Sequence, residues 1–234
     1  MSKRALEGQL AVVAGFTDPT AALEQYPTPP DVAAHVVHLA DLRGDLAGHT
    51  VVDLGAGTGM FALGAALRGA GRVVGVELDP DALAVARANE RRVGARTPVH
   101  WVHADATRTP LCFDDAGADA NEGSDDDTNG DADADHDSAP APAPVTVLMN
   151  PPFGAQSGNE HADRRFLEAV SSFADVSYSL HNAGSEAFVE SFAADAGGEV
   201  TEAFRATFHL DHRFDHHTDE RRELDAEVFR IEWR

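Results

Sequence analysis

Asn150-Pro151-Pro152-Phe153 follows directly on the apolar run Val145-Thr146-Val147-Leu148-Met149. This pattern predicts a buried strand that stops at an amide, a rigid carbonyl and an aromatic face. Such a group suits methyl transfer to a planar nitrogen, whose lone pair is delocalised into its ring and attacks poorly. Two acceptors, the Asn150 side-chain oxygen and the Pro151 carbonyl, can each take one N–H bond and favour a pyramidal nitrogen with a localised lone pair. Pro151 and Pro152 hold φ and carry no N–H to compete for those acceptors. Phe153 can stack on a base, a contact of roughly 1 to 3 kcal/mol. Taken alone, Asn-Pro-Pro is equally a stiff strand exit.

A second motif lies earlier in the chain. Thr50-Val51-Val52-Asp53-Leu54 reads as a short buried strand, and Gly55-Ala56-Gly57-Thr58-Gly59 as a tight turn into a helix through Phe61, Leu63 and Leu67. Glycines let a ligand approach the backbone closely, and N–H groups at a helix start can hold a carboxylate. A nicotinamide-binding loop would place a small residue at position 60, where the chain has Met60. The spacing G-x-G-x-G, with acidic Asp53 near the end of the strand, fits the nucleoside loop of S-adenosylmethionine enzymes better. Arg72 to Glu77 forms a second expected strand, ending in a carboxylate suited to ribose hydroxyls. His100 to His103 forms a third, followed by Asp105 in reach of an adenine amine. Polar groups at several strand ends match the rule that open α/β sheets bind ligands at their carboxyl edge.

With these residues in hand, the chain resembles the methyltransferase-like protein 5 family of archaeal and eukaryotic RNA adenine-N6 methyltransferases. Leu23-Glu24-Gln25-Tyr26-Pro27-Thr28-Pro29-Pro30 is similar to the family's N-terminal signature, and Asn150 to Gly154, Asp163, Phe166-Leu167 and Tyr178-Ser179-Leu180-His181 continue the likeness in order. The resemblance implies a seven-stranded, mostly parallel Rossmann-like class I methyltransferase, an α/β fold with helices on both faces and an N-terminal helical lid. It implies S-adenosyl-L-methionine as cofactor, held by Gln25, Thr28, Gly55, Thr58, Met60, Glu77 and Asp105 along with Asp53, Gly57 and Gly59 of the loop. Asn150, Pro151, Pro152 and Phe153 are the implied catalytic residues, and one adenosine of small-subunit ribosomal RNA the implied substrate. A small zinc-binding activator protein is the implied partner, forming a heterodimer. Where the family often has a lysine-rich stretch before its last strand, this chain has His212 to Arg222 with acids interspersed.

Rival readings are a protein-glutamine methyltransferase acting on a release factor, a DNA adenine methyltransferase, and a non-catalytic ribosome assembly factor. Phe153 and the Gln25 to Pro30 signature argue against the glutamine reading, whose motif ends in tyrosine.

The 234 residues carry a formal net charge of -22. Eleven of the 40 acids fall between Asp114 and Asp137, and the remaining 29 still outnumber the 18 bases. Phosphate binding ordinarily leaves a basic footprint. One lysine, Lys3, against seventeen arginines resembles the composition of a halophilic archaeal cytosol. At about 1 M salt the Debye length shrinks to ~3 Å, damping both the repulsion among acids and the attraction to phosphate. The single cysteine, Cys112, excludes an internal disulfide. No apolar run approaches the ~18 residues of a spanning helix, so a cytoplasmic protein with no membrane contact is expected.

The whole chain, 1–234, reads as one methyltransferase domain, with N-terminal helices and a cofactor lid over 1–45. Leu6, Leu10 and Val13 mark a first helix, Pro30 to Leu39 a second, and Asp79 caps a third with Leu83 and Val85 inside. Residues 114–144 form an acidic, Ala- and Pro-rich insert expected to be disordered and to loop out of the sheet. Helices are expected over Arg165 to Phe173 and from a Ser185 cap to Ala194, a strand over Val176 to Leu180, and a terminal hairpin from Val200 to Leu210 and Ala226 to Trp233. His209, His212, His216 and His217 with Asp211 and Asp215 read as a solvated turn rather than a metal site.

Overall fold

A computed structural model of the protein describes residues 1–108, 111, 142–152, 162–210 and 222–234. Seven strands form one sheet in the order β3-β2-β1-β4-β5-β7-β6. They are β1 (Thr50–Leu54), β2 (Arg72–Glu77), β3 (Val99–His103), β4 (Val145–Met149), β5 (Val176–Asn182), β6 (Gly198–Leu210) and β7 (Arg222–Trp233). The first five run parallel, and β7 lies antiparallel to both β5 and β6. Thr50 pairs with Val145, so the sheet is continuous past the acidic insert, most of which lies outside the described residues.

The expected class I architecture is therefore present, with helices on both faces. α1 (Lys3–Leu10), α2 (Pro30–Arg43) and α3 (Met60–Arg68) cover one face through Leu6, Val36, Leu63 and their neighbours against Val51, Val73 and Leu148. α5 (Ala162–Val170) and α6 (Glu186–Asp195) cover the other through Phe166, Leu167 and Val189 against Val52, Val147 and Ile231. Both faces are buried, which is why the parallel strands read as continuous apolar runs.

Several boundaries differ from expectation. α1 stops at Leu10, short of Val13, because buried Asn89 grips the backbone just beyond. Its Oδ1 accepts from Ala14 N at 2.9 Å and its Nδ2 donates to Ala14 O at 2.9 Å. Asn89 belongs to α4 (Pro80–Val93), where Asp79 accepts from Asp81 N as the expected cap; Leu83 is buried, but Val85 is only half-buried. α2 runs on to Arg43, where Gly44 closes it at φ 88°. α5 begins and ends three residues earlier than expected, and Ser185 sits at the start of α6 without a capping hydrogen bond. No helix among the described residues is long and apolar enough to cross a membrane.

Candidate active site

Parallel strands place their C-terminal ends together, so Gly55 after β1, Glu77 on β2, Asp105 beyond β3 and Asn150 after β4 share one edge. There they line a cavity of ≈ 630 Å³. Its wall includes Ala56, Gly57 and Thr58 from the turn, Gln25 and Thr28 from the segment before α2, and Pro152.

Glu77 organises the glycine turn. Its Oε2 accepts from Gly57 N at 2.7 Å and its Oε1 from Asp79 N at 2.9 Å. Burial raises its pKa, and those two N–H bonds oppose the rise. Asp105 Oδ1 takes both the N–H and the hydroxyl of Thr107, at 2.9 and 2.7 Å, leaving Oδ2 without a partner among the described residues. Gly57, at φ 54°, lies so near Phe16 that a Cβ would sit 2.9 Å from its ring.

The segment before α2 is tied to the sheet at two points. Gln25 Nε2 donates to Asp79 Oδ2 at 2.6 Å while its Oε1 accepts from Thr20 N at 2.7 Å. Asn150 Nδ2 donates to Thr28 Oγ1 at 3.0 Å. Asn150 Oδ1 is then a buried acceptor with no hydrogen-bond partner.

Three expected cofactor residues stand elsewhere. Strand alternation turns Asp53 to the same face as Val51, where its Oδ2 accepts from Ala62 N at 2.7 Å and holds the first turn of α3. It is 2% exposed, and it does not line the cavity. Desolvation pushes its pKa up to about 7, against the Ala62 bond and with a further rise from the Glu77 charge. Gly59 begins α3 at φ 93° with its open side toward Trp101, and Met60 is in the core. Gln25 lines the cavity, but both ends of its amide are engaged by protein, so it acts as a stitch. Pro151 is buried off the cavity wall, while Pro152 is on it. Phe153 lies outside the described residues, as do His212, His216, His217, Asp211 and Asp215; among the described residues no cluster could hold a metal.

Sequence reading missed Phe16, Glu24, Arg108, Arg165 and Phe166, all of which line the cavity. Glu24 and Phe166 left a trace, as parts of the family likeness; Glu24 takes φ 47°, unusual for a residue with a side chain, and is 6% exposed. Tyr178 lies away from the cavity. Its hydroxyl donates to Asp45 Oδ2 at 2.6 Å, and Arg230 Nε donates to the same oxygen at 2.9 Å, a buried tie between β5, β7 and the end of α2.

The chain is similar to known methyltransferases. A family model described as a methyltransferase domain matches residues 51–121. The rRNA N(6)-adenosine-methyltransferase Mettl5 of Drosophila melanogaster is 32% identical over 98% of this chain and 95% of its own length. Its counterpart METTL5 of Danio rerio is 30% identical over 83% of this chain and 81% of its own. The crystal structure of PH1948 from Pyrococcus horikoshii, a candidate RNA methyltransferase, superposes with a TM-score of 0.77 at 29% identity, covering 100% of this chain and 98% of that one.

The residues fit S-adenosyl-L-methionine as cofactor. Buried Glu77 suits ribose hydroxyls and Asp105 Oδ2 an adenine amine, beside the Gly55–Thr58 turn that lines the same cavity. Acids around the cavity also suit a molecule of net positive charge. The chain belongs to the Mettl5 family of S-adenosyl-L-methionine-dependent methyltransferases.

Proposed function

We propose that the protein methylates the N6 amine of an adenosine in RNA, with small-subunit ribosomal RNA as its substrate. One observation carries this reading: Asn150 Oδ1 is buried beside the cavity with nothing to accept from. An unsatisfied buried acceptor costs roughly 1 to 3 kcal/mol, and the N–H of an entering base relieves that cost. Thr28 fixes the amide so that its oxygen, not its nitrogen, is left to the substrate.

Bound in the cavity, S-adenosyl-L-methionine supplies an electrophilic methyl on a positively charged sulfur. The protein's own contribution is position. Asn150 Oδ1 accepts from one N–H of the amine and the carbonyl of Pro151, whose ring lies off the cavity wall, from the other, which turns the nitrogen lone pair out of the ring. Phe153 is the stacking ring of this proposal. The nitrogen loses its extra proton to water once the new bond has formed, so no general base is required. A target adenosine must leave its stack to enter, which favours an unpaired or weakly paired site. The names of the Mettl5 relatives support RNA and the N6 position.

The arginine-for-lysine composition fits a halophilic archaeal host, so assays belong in molar salt as well as dilute buffer. A small zinc-binding activator remains the expected partner, and co-purification from native cells tests it; full activity and solubility of the enzyme made alone would remove the need for it. Incubation with methyl-labelled cofactor and separate pools of ribosomal RNA, DNA and release factor tests the reaction. Label should enter RNA as N6-methyladenosine, and Asn150→Ala should abolish it. Label in release factor would transfer the assignment to glutamine.

A further inference from the structure

Charge around the cavity is sorted by depth. Glu24 and Glu77 are buried and Asp105 is half-buried, whereas Arg108 and Arg165 line the same cavity from exposed positions. The exposed acid of the wall, Glu168, is already paired with Arg164 at 3.0 Å. Arg164 is committed twice, since its guanidinium also lies over the Phe192 ring at 5.6 Å. Neither the Arg108 nor the Arg165 guanidinium makes a hydrogen bond or ion pair among the described residues, although the Arg108 backbone N–H donates to Asp105 O at 3.0 Å. They stand on adjoining elements, the short 3₁₀ turn Ala106–Arg108 and the first half of α5, which pack on each other.

A methyl donor of net charge +1 matches the inner acids and is repelled by two guanidinium groups. The two exposed arginines are therefore suited to an anion that enters from solvent rather than to the methyl donor. In a chain of 40 acids and 18 bases, two cations beside the cavity with no partner among the described residues act against the general repulsion of phosphate. Guanidinium also binds phosphate through paired N–H bonds, which survive salt better than a bare charge does. Resting on the reading of RNA as substrate, we infer that Arg108 and Arg165 form a phosphate clamp at the cavity mouth, gripping the backbone beside the target adenosine.

The test compares Arg108→Gln, Arg165→Gln, the double variant and the corresponding lysine variants on the full chain. Readouts are kcat, KM for RNA, KM for S-adenosyl-L-methionine, and RNA affinity in the presence of S-adenosylhomocysteine across a salt series. At low salt the double glutamine variant should raise KM for RNA roughly tenfold. The slope of log affinity against log salt should shrink by about 0.7 per arginine removed from a single-stranded contact. KM for the methyl donor should not move. Lysine should restore the slope, which counts charge, but only part of the affinity, which also needs the planar fork. RNA methylation with unchanged RNA KM and slope in the glutamine variants would overturn the clamp and leave the substrate assignment standing. A raised KM for the methyl donor alone would overturn it too, placing the arginines on the cofactor. Absence of RNA binding and methylation by the unaltered enzyme would sink the substrate reading and the clamp together.

Discussion

Asn150 and Thr28, 122 residues apart in sequence, meet in one hydrogen bond of 3.0 Å, from the amide Nδ2 to the threonine Oγ1. The bond orients the amide and joins the segment before α2 to the residue that follows β4. Thr28→Val keeps the side chain's shape and removes the acceptor. It should lower kcat roughly ten- to hundredfold, the scale of loss when a reacting group is misplaced. Thr28→Ser, which retains the hydroxyl, should stay near the parent. Steady-state kinetics with saturating cofactor separate the two.

Glu77 holds the glycine turn by accepting from Gly57 N and faces the expected ribose site. Glu77→Gln replaces one acceptor with a donor that meets an N–H head on. Cofactor affinity should fall about ten- to a hundredfold, the range for a hydrogen bond to a charged group. Binding by the parent should also weaken on acidification, because the carboxylate is the form that accepts. Burial raises the Glu77 pKa, so that weakening begins above the ordinary glutamate range. Calorimetric titration of cofactor at several pH values checks both effects.

Asp53 gives the protein a pH-dependent stability of unusual sign. Burial pushes its pKa from 3.8 up to about 7, whereas in the unfolded chain it titrates near 3.9. Between those values the folded protein keeps a proton that the unfolded chain has lost. This group's contribution to stability is therefore present below about pH 4, is lost as pH rises towards 7, and is level above that. Asp53→Asn retains an oxygen for Ala62 N–H and removes the titration. Urea midpoints measured across this window should fall with rising pH in the parent more steeply than in the variant.

Gly75 makes room for Trp101. A Cβ at Gly75 would lie 2.5 Å from the indole ring, which is itself held by a 2.8 Å bond from its Nε1 to Glu90 Oε2. Gly75→Ala should destabilise the fold by about 1 to 3 kcal/mol through overpacking. Combining it with Trp101→Leu should cost less than the sum of the two single changes, because the clash is shared. Urea unfolding of the four proteins in this cycle gives the coupling directly.

Much of the frame was legible because periodicity is a local property. β1, β2 and β4 coincide with the apolar runs, and the G-x-G-x-G turn sits between β1 and α3 as its spacing requires. The Glu77, Asp105 and Asn150 positions followed from one rule, that parallel strands gather their carboxyl ends. Asp53 escaped that rule. Being near a strand end says nothing of which face a residue takes, and alternation sends Asp53 toward α3. Met60 and Gly59 fall within the loop motif, but Gly59 caps α3 and Met60 opens it, which turns them to Trp101 and to the core.

The chain's own order of residues thus determined the sheet, the glycine turn and the amide at the end of β4, since each is written in neighbours a few positions apart. Only tertiary structure decided that Thr28 orients Asn150, that Phe16 closes on Gly57, and that Arg108 and Arg165 line the same cavity. These contacts join distant segments, and their energies depend on burial and direction, which no local pattern of residues encodes.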